Sequence, residues 1–120
     1  MSRALVVKVT CGADDAERCN QAFNVAALAA ASGVEVSLWL AGEAAWFGVA
    51  GKAEEFSLPL ATPLADLRDT VLGTGTVTVC SQCAERRDIA PEELLPGVRI
   101  AGAAAFVEES LREGVQALVY

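Results

Sequence analysis

Short aliphatic runs alternate along this chain with longer stretches whose apolar residues recur every three or four positions. Ala4-Leu5-Val6-Val7-Lys8-Val9 is mostly aliphatic without strict alternation, the pattern of a strand buried on both faces of a parallel sheet. The acidic residues Asp14, Asp15 and Glu17 then mark a helix start, where they complement the positive end of the helix dipole. The buried stripe of that helix reads Ala16, Cys19, Phe23, Ala26, Ala27 and Ala30, and Gly33 ends it. Val34 to Leu40 is a second strand, dense in β-branched and large apolar residues.

Ala41 to Pro63 is less regular, because Gly42, Gly48, Gly51, Pro59 and Pro63 interrupt the aromatic residues Trp46, Phe47 and Phe56; it is a candidate lid or subunit contact. A helix over about Leu64–Leu72 leads through Gly73 and Gly75 into a third strand, Thr76–Val79, which meets Cys80. Short helices are expected at Ser81–Arg87 and, with proline at its first position, at Pro91–Leu95. Pro96-Gly97 turns the chain into strand four, Val98–Ala101; a helix over Ala103–Glu113 and strand five, Val115–Val119, follow. This alternation predicts a three-layer α/β/α sandwich around a five-stranded, mainly parallel sheet, with residues 1–120 as one domain.

Composition narrows the function. With 53% hydrophobic and 21% charged residues the chain has enough apolar material for a core, and its apolar runs are too short for a membrane span. Nine basic against sixteen acidic residues give a formal charge of −7, which disfavours nucleic acid and anionic lipid as partners. The sequence contains no histidine, which excludes Ser-His-Asp and Cys-His catalysis and histidine-ligated zinc within one chain. Four cysteines with no leader-like segment at Met1-Ser2-Arg3 lead us to expect a cytoplasmic protein with free thiols.

Cys80 and Cys83 form a Cys-x-x-Cys pair where strand three runs into a helix. Sites in open parallel sheets gather beyond the C-terminal strand ends, and a thiol in the first turn of a helix faces unpaired N–H groups that favour thiolate. Such a pair can close a disulfide, supply half a zinc site, or act as attacker and resolver on a sulfur substrate. Ala84 stands where haem attachment would need histidine, and Pro91 and Pro96 lack the context of a thioredoxin's later proline. Arg86 and Arg87, three and four residues past Cys83, are candidates to add positive potential, and Glu43 is the one acid near the proposed site edge.

Cys19 reads as a core residue. Cys11 ends strand one at the same sheet edge as Cys80, and strands one and three are expected as neighbours. An alternative four-thiolate zinc site would then draw on Cys11, Cys19, Cys80 and Cys83, although seven residues separate the first two and zinc ligands usually pair two to four apart.

Two segments carry a family resemblance. Gly12-Ala13-Asp14-Asp15-Ala16-Glu17-Arg18 after strand one, and Cys80-Ser81-Gln82-Cys83-Ala84-Glu85-Arg86-Arg87-Asp88-Ile89 after strand three, resemble the DsrE/DsrF-like family of the DsrEFH-like sulfur-relay group over essentially the full length. The resemblance implies a compact α/β/α subunit of a homo-oligomer, a trimer or hexamer, linked to intracellular sulfur trafficking. It implies that Cys80 carries sulfur as a persulfide between donor and acceptor proteins, without a cofactor. Cys83 is an additional thiol able to release that sulfur by forming a disulfide. The function expected is thus a persulfide carrier or sulfurtransferase subunit; a zinc-binding or oligomeric interaction protein and a thiol-disulfide redox protein are the alternatives.

Overall fold

The computed structural model describes residues 3–120; Met1 and Ser2 of the Met1-Ser2-Arg3 segment lie outside the described residues. All five expected strands form: β1 (Ala4–Val9), β2 (Glu35–Leu40), β3 (Thr76–Cys80), β4 (Arg99–Ala101) and β5 (Val115–Val119). They join in one wholly parallel sheet of order β4-β3-β2-β1-β5. Parallel neighbours require crossover connections, and the helices predicted between the strands supply them.

Helices α1 (Ala16–Ala31) and α2 (Leu64–Thr74) pack together on one face of the sheet. Their apolar stripes, including Phe23, Ala26, Leu64 and Val71, close over Val7, Val9, Val36, Leu38, Leu40, Val77 and Val79, all buried. Side chains alternate across a strand, so Lys8, Trp39, Thr78 and Cys80 face the other way, toward α4 (Ala103–Ser110). There the Trp39 and Phe106 rings meet edge to face at 5.5 Å. Helix α3 (Ser81–Arg86) stands beyond the C-terminal end of β3.

Several expectations change. Strands β1 and β3 are not neighbours, because β2 pairs with both. The helix expected over Pro91–Leu95 is a single 3-10 turn, Pro91–Glu93, after which Leu94 and Leu95 turn back to Val49 and Gly48. Helix α4 stops at Ser110 rather than Glu113, and Gly114 at φ 81° starts the chain into β5. Strand β5 lacks the burial of the inner strands: as an edge strand it leaves Leu118 and Val119 exposed. Ala41 to Pro63 contains two 3-10 segments, Gly42–Gly48 and Ala53–Glu55. The Phe47 ring anchors this region against Phe23 at 6.0 Å and Phe56 at 5.7 Å.

Candidate functional site

Three strand ends meet at the C-terminal edge of the sheet. The loop after β1 carries Cys11 and Gly12, the loop after β2 carries Gly42 and Glu43, and Cys80 ends β3. Glycine is required at two of these positions. A Cβ on Gly12 would stand 2.9 Å from the Glu43 carbonyl oxygen, and one on Gly42 would stand 2.3 Å from that of Thr10. Gly42 also has φ 54°, in the left-handed region that side chains disfavour. The close approach of these loops seats the segment after β2 against α3.

Cys80 is half-buried, whereas Cys83, one turn into α3, is buried. Both thiols are free. The Gly42 N–H donates to the Cys83 Sγ at 3.2 Å. Burial pushes the Cys80 thiol up, but the backbone N–H and thiol of Cys83, the Gln82 N–H and the Lys8 ammonium outweigh it and leave the thiol below its ordinary value. The cause is partly the helix start: with no residue before Ser81 in helical geometry, the first N–H groups of α3 have no helical partner and point toward the Cys80 sulfur.

The other two cysteines lie in a different chemical setting. Burial, then Asp15 and Asp14, raise the Cys11 thiol against a smaller opposing pull from Arg18. Cys19, fully buried on α1, is pushed up to about 12, chiefly by burial, with Cys11, Asp14 and Asp15 adding to it. Among the described residues no three His, Cys, Asp or Glu side chains are gathered to hold a metal ion. The four-thiolate set Cys11, Cys19, Cys80 and Cys83 is therefore not assembled within the chain. The reason is topological: β2 separates the strand that ends near Cys11 from the strand that ends at Cys80.

The two arginines of α3 and its C-terminal end have different settings. Arg87 donates through its Nε to the Glu43 carboxylate at 2.8 Å and through its Nη1 to the Cys83 carbonyl at 3.2 Å. It closes the C-terminal end of α3 onto the loop after β2, and Glu43 offsets its charge. Arg86 is exposed and makes no ion pair among the described residues. Beside this pair, Glu43, Trp46, Phe47, Lys52 and Phe56 contribute to the lining of a cleft of about 290 Å³.

Sequence reasoning did not single out Lys8. Its signal was present as the only charge within an aliphatic central strand, which the parallel pairing turns toward the face that carries Cys80. A second omission is the cluster on the same face, where Glu109 accepts from Ser37 at 2.7 Å and from the Trp39 indole at 3.1 Å, and pairs with Arg99.

With a strand-end thiol, an adjoining second thiol and this topology in place, comparison with known proteins becomes decisive. The DsrE/DsrF-like family profile matches residues 4–118. The chain belongs to the DsrE/DsrF-like family. Membership carries a sulfur-relay type of fold. The ychN protein of E. coli superposes with TM-score 0.78 at 17% identity, with 100% of both chains covered. A protein of unknown function from Methanobacterium thermoautotrophicum gives 0.65 at 15% identity, also over 100% of each chain. A conserved protein of unknown function from Bacteroides thetaiotaomicron gives 0.57 at 16%, covering 98% of this chain and 94% of its own. At these identities the likeness is one of fold. No curated protein matches the chain significantly. No helix among the described residues is long and apolar enough to cross a membrane.

Proposed function

We propose that this DsrE/DsrF-like chain is a persulfide sulfur carrier or sulfurtransferase subunit, with Cys80 as the sulfur-bearing nucleophile and Cys83 as resolving thiol. The observation that carries the reading is Cys80 itself: a half-buried thiol at a strand end, held below its ordinary pKa beside a second thiol. A carrier needs an accessible thiolate with partial protection from solvent, and a strand-to-helix junction supplies both.

In the loading step the Cys80 thiolate attacks the outer sulfur of a donor persulfide, R–S–SH. A sulfur-sulfur bond forms at Cys80, the donor's own sulfur-sulfur bond breaks, and R–S⁻ leaves with the electron pair. An acceptor thiolate then takes the outer sulfur in the same way and returns Cys80 as thiolate, with no net oxidation. Where Cys83 intervenes, its thiolate attacks the Cys80 Sγ and expels HS⁻. The resulting Cys80–Cys83 disulfide is reduced by a dithiol.

The reading requires no bound cofactor and takes protein thiols as donor and acceptor in a reducing, cytoplasmic setting. It also includes a homo-oligomer, a trimer or hexamer, which the exposed apolar Val107, Leu111, Leu118 and Val119 favour. The test is incubation of the reduced protein with a sulfane-sulfur donor, followed by intact-mass and peptide mass spectrometry. A thiol-disulfide redox role is the second reading, favoured by the Cys83 thiol lying against Cys80. A reversible disulfide of defined potential in a protein that takes up no sulfur would select it.

A further inference from the structure

Lys8 occupies an unusual position. It lies half-buried on a central strand, flanked by β2 and β5, where the other residues are aliphatic. A partly desolvated ammonium ordinarily needs a carboxylate. Among the described residues Lys8 makes no ion pair, although the chain carries sixteen acids. Its Nζ stands 4.6 Å over the Phe106 ring. On α4, Glu108 pairs with Arg112, and Glu109, one turn beyond Phe106, is already engaged by Arg99, Ser37 and Trp39.

The register shows what this ammonium faces. Lys8 pairs with Trp39, Trp39 with Thr78, and Thr78 with Arg99, so one row crosses the sheet on the α4 side. Cys80 lies two residues beyond Thr78 and therefore on the same face. From β1 to β3 the separation is about 10 Å across two strand spacings and about 7 Å along the strand. Over that span the Lys8 ammonium acts on the Cys80 thiol through its charge, without a direct contact.

The charged and titratable groups on this face include Lys8 from β1, Glu35 at the far end of β2 opposite Ala4, Arg99 from β4, Glu109 from α4, and Cys80 with Cys83 at α3. Arg99 and Glu109 cancel each other, and the Arg99 guanidinium stacks 5.4 Å over Trp39. Lys8 is left as the one uncompensated cation among them.

We propose that Lys8 is a positioning residue for the sulfur chemistry of Cys80, its ammonium serving as counter-ion to the negative sulfur that Cys80 presents, first as thiolate and then as perthiolate. The ring of Phe106 fixes the ammonium by a cation–π contact, and the anionic sulfur supplies the partner that no carboxylate does. The role rests on the reading of Cys80 as sulfur carrier. It assigns this site a preference for donors and products whose reactive sulfur is anionic.

The test is the pH dependence of Cys80 alkylation by iodoacetamide, resolved by peptide mass spectrometry, in the native protein, Lys8→Met and Lys8→Arg. The methionine variant is expected to raise the midpoint by about one pH unit, and the arginine variant to return it close to native. A Lys8→Met midpoint equal to native, or a Lys8→Arg midpoint equal to that of Lys8→Met, overturns the proposal. Lys8→Gln, read by the same criteria, replaces the methionine variant if that one does not fold. No sulfur donor enters this experiment. A Cys80 that takes up no sulfur in either the native protein or Cys83→Ser would therefore defeat the carrier reading while the Lys8 result still stood or fell by itself.

Discussion

The Gly42 N–H donates a 3.2 Å hydrogen bond to the Cys83 sulfur, fastening the loop after β2 to the first turn of the helix after β3. The bond depends on a backbone that only glycine adopts comfortably, at φ 54° with the Thr10 carbonyl oxygen 2.3 Å from where a Cβ would stand. Gly42→Ala must shift the loop. We expect a loss of about 1–3 kcal/mol in denaturant unfolding and faster alkylation of Cys83 in the folded protein.

Glu109 gives the fold a defined acid sensitivity. Burial raises its carboxyl, but hydrogen bonds from Ser37, Trp39 and Arg99, together with the Arg99 charge, hold it below the ordinary value of 4.5. The unfolded chain thus binds this proton at higher pH than the folded one. The contribution is complete above the ordinary value and is lost as pH falls through the lowered one. Unfolding followed from pH 7 downward should show this loss, and Glu109→Gln should remove that part of the pH dependence. The same variant is expected to cost about 2 kcal/mol at neutral pH, where it breaks charge-assisted bonds.

Arg68 on α2 is 2% exposed, yet it is charged. Its guanidinium donates to the Phe47 carbonyl at 3.3 Å and reaches Asp69 at 3.0 Å and Glu54 at 3.5 Å. Both acids are more than half exposed and remain hydrated without it, whereas the Phe47 carbonyl does not. Arg68→Met should therefore cost about 1–3 kcal/mol, the penalty of one unpaired buried acceptor. Its unfolding midpoint should fall with little change in slope.

Much of the fold was legible because its strands are short, aliphatic and separated by helix-length stretches. Ala4–Val9 and Val115–Val119 have the bounds read from sequence, and strand three extends only one residue further, to Cys80. Strand order was not legible, since nothing local in Cys11 or Cys80 states that β2 lies between their strands. The same ignorance made a four-cysteine cluster conceivable. Arg68 and Arg87 were opaque for a related reason: the meaning of an arginine depends on which carbonyl and carboxylate the chain brings to it, here Phe47 with Glu54 and Cys83 with Glu43. Lys8 was hidden by its surroundings, because a strand-forming run invites attention to its aliphatic residues.

The most direct measurement of the account is the mass of the reduced protein after exposure to a sulfane-sulfur donor and removal of small thiols. The native chain is expected to gain about 32 Da, the mass of one sulfur atom, with peptide analysis assigning it to Cys80 and not to Cys11 or Cys19, whose thiols are raised. Cys80→Ser is expected to lose the adduct, and Cys83→Ser to retain it for longer, because the resolving thiol is gone. A full adduct in Cys80→Ser, or none in both the native protein and Cys83→Ser, would contradict the central claim.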